Sequence, residues 1–321
     1  MKVNIIGLNG FGKVHLEAWS KTDVDIEITE RKKEIVEELK QKYNISKVYG
    51  SLEEALRSDA EIFDIVLPHS MHRDVAVKSL ESGKHVLIEK PIATEVRDAQ
   101  IMISTAEKNK RKFMVADQYF FDPSVKKIID IIKAGDIGKV HSIIIRDQRK
   151  YNWHGWRAEA EHMGGGSLID GGIHFIDTLL NIGGDYSAVR SLSYKSTQSI
   201  QEPDTVEAIF KFKNGSNGMF FYSWGYPFTP KLPAYEVIGE TGSIVEDVVS
   251  KPVGFDAPKG KRAYGDPIVN AKLIDLGEHD IFYDEVSGFL KSVVKNENVP
   301  FDPYLALRDL VAVKDIYANQ I

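Results

Sequence analysis

Short apolar runs alternate with charged stretches through the first third of the chain. KVNIIG at 2–7 predicts a buried strand, HLEAWSK at 15–21 a helix and VDIEIT at 24–29 a second strand. KEIVEELKQKY at 33–43 sets Ile35, Val36 and Leu39 on one helical face, and SLEEALRS at 51–58 predicts a helix capped by Ser51. FDIVLP at 63–68, HVLIEKP at 85–91 and FMVAD at 113–117 predict further strands. Helices are expected over RDVAVKSLESG at 73–83 and EVRDAQIMISTAEKN at 95–109. Strand and helix in alternation predict a parallel sheet with helices on both faces. Glu27 resists this pattern, because such a strand is buried on both sides. It implies either a strand displaced by a residue or two or one exposed at that point.

Beyond about residue 118 the pattern changes. DPSVKKIIDIIKAGDIG at 122–138 predicts a helix with Pro123 near its start and a glycine exit. Long β-like stretches follow at 140–151, 188–197, 205–225 and 234–247, with the NGS at 214–216 marking a hairpin turn. Helices at 282–296 and 302–320 close the chain. The expected architecture is α/β: a doubly wound parallel sheet over residues 1–118, then an α+β domain over 119–321 with a large, mainly antiparallel open sheet. The last helix is placed where it can pack back on the first domain. A length of 321 residues fits two cores better than one.

Composition narrows the function. A net charge of −6 with no basic stripe argues against nucleic acid and against a membrane surface as partners. No cysteine is present, which removes disulfides, thiolate catalysis and cysteine zinc sites. No signal peptide is expected at the N-terminus and no apolar run has the length of a membrane span, so a cytoplasmic protein is expected. His154, His162 and His174, and the HSMH at 69–72, lack the spacing of a metal site. No metal is expected, and His69 and His72 read as loop residues after the third strand.

Four motifs carry chemistry. GLNGFG, from Gly7 through Asn9, Gly10 and Phe11 to Gly12, links the first strand to the first helix. Backbone amides there can approach a pyrophosphate, and the helix N-terminus favours its charge. Asn9 stands where the usual G-x-G-x-x-G spacing has its middle glycine, a position an asparagine can fill with a left-handed backbone. Glu30 ends the second strand, where a carboxylate accepts the adenosine-ribose hydroxyls of NAD. Arg31, Lys32 and Lys33 follow and leave NADP possible. EKP, Glu89 to Pro91, ends a strand that faces the ligand crevice, so Lys90 can orient a substrate hydroxyl. In GGGSLIDGGIHFID at 164–177, a helix would set Asp170 and His174 one turn apart on one face. Gly171 and Gly172 lie between them at a cost of about 1 kcal/mol each relative to alanine. A close approach of substrate or cofactor is the expected reason. A helix buried against the sheet, with His174 as a satisfied core histidine, is the plainer alternative.

The glycine loop with His15 three positions after Gly12, LPHSMHRDVAVKSLESGKHVLIEKP, FDPSVKKIIDIIKAGDIGKV, GGGSLIDGGIHFID and EVIGETGSI together resemble the glucose–fructose oxidoreductase/inositol dehydrogenase family, often called Gfo/Idh/MocA. The likeness runs in order from residue 3 to about 317. It implies an N-terminal Rossmann domain that binds NAD or NADP, and a C-terminal open sheet that serves substrate binding and homodimer or homotetramer assembly. It implies catalytic roles for Lys90, Asp170 and His174. The cofactor site it implies takes in Pro68, His69, His72 and Glu89, and Gln118 in the DQYFFDP segment. In that segment Phe120 stands where an arginine is common. Trp156 and Arg157, in NWHGWR, match a Trp-Arg pair near cofactor and substrate. RDQRKYNWHGWR, with Tyr151, and YSWGYPFTPK are expected to line the substrate pocket.

The expected activity is hydride transfer between a nicotinamide and the hydroxyl-bearing carbon of a sugar, inositol, polyol or related small molecule. His174 is the expected general base, since an imidazole titrates near working pH. Lys90 would stabilise the developing charge on the reacting oxygen. Two other readings stay open: an NAD-dependent glycosidase that works by transient oxidation, and a cofactor-binding regulator without turnover.

Overall fold

The computed structural model of the chain describes residues 1–196, 201–228, 231–250 and 262–321. Thr197, at the end of the stretch read at 188–197, and Thr229 and Pro230 of YSWGYPFTPK lie outside the described residues. The chain forms two compact units. The first comprises Met1–Asp117 and Phe282–Leu307, the second Gln118–Ile281 and Arg308–Ile321.

In the first unit, strands β1 (Lys2–Ile6), β2 (Asp25–Thr29), β3 (Ile45–Tyr49), β4 (Ile62–Ile65), β5 (His85–Glu89) and β6 (Phe113–Ala116) build one sheet in the order β3-β2-β1-β4-β5-β6. Every pairing is parallel. Helices α1 (Phe11–Trp19), α2 (Lys33–Lys42), α3 (Leu52–Leu56), α4 (His72–Glu81) and α5 (Val96–Lys108) make the crossovers. Ser51 caps α3 by accepting the Glu54 N–H at 3.2 Å. The apolar runs form the core: Val3, Ile5, Ile62, Ile65, Leu87 and Ile88 are fully buried. The strand order reverses direction between β1 and β4, and ligands of such sheets bind outside the strand ends at that point.

Two features depart from the sequence reading, and one explains the other. Strand β3 was not expected, because it is an edge strand whose Ser46 and Lys47 are exposed and leave no apolar run. Glu27 sits inside β2 at 1% exposure, so the strand is neither displaced nor open. Its carboxylate accepts the Tyr49 hydroxyl at 2.9 Å and lies 3.7 Å from Lys2 Nζ. The unexpected strand thus brings the donor that lets the acid be buried, as a buried polar group requires.

In the second unit, β7 (Val140–Gln148), β8 (Tyr186–Tyr194), β9 (Thr205–Phe212), β10 (Asn217–Ser223), β11 (Tyr235–Gly239), β12 (Ser243–Glu246), β13 (Pro267–Val269) and β14 (Lys272–Leu273) form a sheet ordered β14-β13-β12-β11-β7-β10-β9-β8. Only β7 and β10 pair in parallel. The hairpin turn falls where NGS predicted it: Asn214 Oδ1 accepts the N–H and hydroxyl of Ser216 at 2.9 and 2.7 Å, and Gly215 takes φ 94°. Strands β13 and β14 are too short to leave a periodic signature. Helices α6 (Pro123–Ala134), α7 (Ala160–Met163) and α8 (Ile173–Gly183) complete this part of the chain. α6 begins with Asp122 accepting the Ser124 N–H, and ends at left-handed Gly135. Near the C-terminus lie α9 (Ile281–Lys295) and α10 (Pro303–Ala318).

Candidate active site

The nucleotide end of the first unit is shaped by missing side chains. Gly7 adopts φ 92° and Gly10 φ 61°. A Cβ on Gly7 would collide with the Val66 carbonyl, and one on Gly12 with the Gly7 carbonyl. The glycine at 12 therefore serves close helix–strand packing. Asn9 is exposed and does not take the left-handed backbone expected of it; the positive φ falls one residue later on Gly10, whose φ 61° and ψ −115° suit glycine. The turn thus survives the altered spacing. Phe11 opens α1, whose first turn carries no side-chain cap and no acid, so its positive dipole end favours an anion.

Glu30 closes β2 with its carboxylate held by three backbone donors: Arg31 N–H at 2.8 Å, Lys32 N–H at 3.0 Å and Leu8 N–H at 3.3 Å. A cleft of about 500 Å³ runs between Gly7, Glu30, Arg31, Leu67 and Ser70. A glycine-rich loop, an uncapped helix start and an oriented carboxylate fit the pyrophosphate and adenosine ribose of a dinucleotide.

Pro68 precedes a 3₁₀ turn over His69–Met71, and His72 begins α4; neither histidine lies in the loop expected of them. His69 is 3% exposed, with its ring 5.8 Å from that of His72. The His72 ring is fully buried, its nitrogens 2.8 Å from the Pro91 carbonyl and 2.9 Å from the Leu67 carbonyl. It ties the segment after β4 to the EKP segment. Glu89 and Lys90 are buried at 7% and 8% exposure, and the Lys90–Pro91 peptide is cis.

The second unit gathers Asp170, His174, Arg157 and Tyr151. The three opening glycines at 164–166 all take positive φ, which forms the turn out of α7. A π-helical turn over Leu168–Gly172 then leads into α8. Asp170 is 2% exposed and accepts the Arg157 Nε–H at 2.5 Å. Arg157 also lies 4.3 Å over the Trp156 ring. His174 is 4% exposed, its ring stacked on Tyr119 at 4.3 Å and 12°. Tyr151 packs on Trp224 at 4.5 Å, with Trp153 4.6 Å from the same indole. Burial, with Asp170 adding to it, holds the Tyr151 phenol above its ordinary range.

The glycines between Asp170 and His174 serve a purpose other than the one expected. A Cβ on Gly171 would strike the Tyr222 hydroxyl and Trp224, and one on Gly172 would press on Leu168 and Tyr222. The close approach is to aromatics of β10 and its end, so protein packing accounts for it. Asp177, third in the motif, accepts the Arg308 guanidinium at 2.9 Å.

Tyr119 was not assigned from sequence, although it lies in DQYFFDP; only the fold shows that it faces His174. Gln118 opens the 3₁₀ turn before α6 at 1% exposure, and both amide atoms lack a hydrogen-bond partner. Such an amide marks a place where a ligand can complete the bonding. Among the described residues, no group of three or more His, Asp or Glu side chains is arranged to hold a metal ion. His154 turns to the Asn152 carbonyl and His162 to Glu159.

Burial lowers the pKa of His72 to about 4, with His69 adding to the shift. Folding therefore favours neutral His72, whose single ring N–H donates to one of the two carbonyls while burial outweighs the bond to the other. Its contribution is complete above the ordinary value near 6.5 and is lost as pH falls through about 4. Acid titration of unfolding free energy should show about 3 kcal/mol of loss from this group. His72→Gln should flatten that interval, and an unchanged slope would contradict the assignment.

Residues 1–117 match the sequence model of the oxidoreductase family with an NAD-binding Rossmann fold, and residues 125–245 that of the GFO/IDH/MocA C-terminal domain. The chain is 27% identical to scyllo-inositol 2-dehydrogenase (NADP(+)) of Bacillus subtilis, over 77% of its own length and 76% of that enzyme's. It is 28% identical to trans-1,2-dihydrobenzene-1,2-diol dehydrogenase of Mus musculus, over 57% of this chain and 55% of that one. The WlbA dehydrogenase of Bordetella pertussis, solved with NADH and UDP-GlcNAcA, shares the fold at a TM-score of 0.83 and 18% identity, over 99% of this chain and 96% of that one. No described helix is long and apolar enough to cross a membrane. With both halves matched in order, the chain belongs to the Gfo/Idh/MocA family of NAD(P)-dependent oxidoreductases.

Proposed function

We propose that the chain is a dehydrogenase that oxidises a CH–OH group of a polyhydroxylated small molecule: a sugar, an inositol, a polyol or a cyclic diol. The observation that carries this reading is the start of α8, where buried Asp170, held by Arg157, and buried His174, stacked on Tyr119, occupy one short stretch. A hydroxyl that loses hydride from its carbon must also lose a proton. His174 takes that proton as general base. Tyr119 fixes the plane of its ring. Asp170 accepts a neighbouring hydroxyl of the substrate, with Arg157 holding the carboxylate in place. Lys90 donates to the reacting oxygen and stabilises its charge. Tyr151, with the indoles of Trp153 and Trp224 beside it, offers an apolar face to a ring carbon skeleton.

In the first unit, Gly7, Asn9, Gly10, Phe11 and Gly12 seat the pyrophosphate, and Glu30 accepts the ribose hydroxyls, which favours NAD. Arg31, exposed beside it, leaves room for NADP. A bound nicotinamide supplies the two-electron hydride chemistry. Pro68, His69, His72 and Glu89 complete the cofactor's surroundings in this unit, and Gln118 and Trp156 of the second unit are proposed as further cofactor contacts. Relatives named for a diol and an inositol support the substrate class.

We also propose that the open face of the second unit's sheet assembles a homodimer or homotetramer. Register aligns Ile144, Met219 and Ile209 across β7, β10 and β9. Ile209 is 62% and Met219 51% exposed. Light scattering should find a multiple of the chain mass for the wild type and a monomer for Ile209→Glu/Met219→Glu. A wild-type monomer at working concentration would rule the assembly out.

The activity itself is read from nicotinamide absorbance with NAD⁺ or NADP⁺ and a panel of inositols, aldoses, polyols and trans-diols. Wild type should reduce cofactor with at least one substrate, and Lys90→Ala should lose about 100-fold or more in kcat. Turnover equal to wild type in both Lys90→Ala and His174→Ala would sink this mechanism.

A further inference from the structure

His15 lies one turn into α1, the helix that opens at the glycine loop, and is 1% exposed. Its Nδ1 is 2.9 Å from Asp64 Oδ2 on β4, and its Nε2 is 3.1 Å from Glu89 Oε1 on β5. Trp19 Nε1–H donates to the same Asp64 oxygen at 2.7 Å. The second oxygen of Glu89 accepts the backbone N–H of Lys90 at 3.1 Å. A carboxylate can only accept, so a ring flanked by two of them is satisfied when both nitrogens donate, which is the imidazolium form.

The surroundings agree with that form. Burial opposes a charge on His15, but Asp64 and Glu89 outweigh it and raise its pKa well above the ordinary value. Glu285 on α9 faces the same cluster, with Asp117 after β6, and its Oε2 has no hydrogen-bond partner. Burial drives Glu285 well above the usual carboxylate range, and Glu89, Asp117 and Asp64 add to the shift against the opposing pull of His15. The bonded chain from α1 runs through His15 and Glu89 to the amide of Lys90.

We propose that His15 is a positioning residue for Lys90, an imidazolium that locks the strand end presenting the lysine to the helix that opens at the nucleotide loop. The proposal rests on the catalytic reading of Lys90 given above. His15 touches neither substrate nor the reacting atoms, so its loss should act on kcat and leave binding nearly alone.

Long-range ¹⁵N NMR of the full-length, histidine-labelled protein tests the charge state without substrate. One histidine should keep both ring nitrogens protonated at neutral pH, and in Glu89→Gln its Nε2 should lose that proton while Nδ1 keeps its own. A neutral His15 in the wild type overturns the proposal. Kinetics on the best substrate of the panel test the consequence. His15→Gln should lower kcat about 10-fold or more, with KM and the calorimetric Kd for NAD⁺ within about threefold of wild type. In a Lys90→Ala background the same change should cost nothing further. Wild-type kcat in His15→Gln beside an inactive Lys90→Ala overturns this proposal alone. Wild-type kcat in Lys90→Ala overturns the catalytic reading and this one with it.

Discussion

Inside a parallel sheet covered on both faces, a carboxylate finds no water, and its charge must be met by a donor or a cation held in place. The first unit carries several such groups. Glu27 is met by Tyr49 and Lys2, Asp64 by His15 and Trp19, and Glu89 by His15 and the Lys90 amide. All of these pairings but that of Glu89 with the adjacent Lys90 amide join different strands or helices, and so also set their mutual position. At the ligand end of the sheet, that solution decides where the EKP segment is held. His72, buried between the Leu67 and Pro91 carbonyls, packs on the segment from its other side.

Close approach is the second constraint. Gly12 lets α1 rest on the carbonyl of Gly7, which sets the helix start beside the end of β1. Gly171 and Gly172 let the π-helical turn rest on Tyr222 and Trp224. The same contact orders the aromatic group that Tyr151 joins, near Arg157 and Asp170. A residue chosen for packing thus places residues that carry chemistry.

Much of this was legible in the amino-acid pattern, and the failures have physical causes. Six-stranded alternation was readable except at Ile45–Tyr49, where an edge strand exposes Ser46 and Lys47 and so hides its period. Glu27 looked anomalous because its partner Tyr49 sits in that hidden strand. The left-handed turn was expected at Asn9 but falls on Gly10, since one residue of spacing cannot be read without the backbone. Asp170 and His174 stood out by spacing. Their partners Arg157 and Tyr119 are 13 residues away and across a separate element respectively, and only the fold pairs them. The need for glycine at 171 and 172 was evident, but not the aromatics that impose it.

The first unit's glycine turn and Glu30 are proposed to form a seat for a dinucleotide. Calorimetric titration of the full chain with NAD⁺ and NADP⁺, on wild type and Glu30→Ala, tests it most directly. Saturable NAD⁺ binding, weaker NADP⁺ binding and a selective loss of NAD⁺ affinity in Glu30→Ala are expected. Absence of binding by either dinucleotide, or NAD⁺ affinity unchanged in Glu30→Ala, would contradict it.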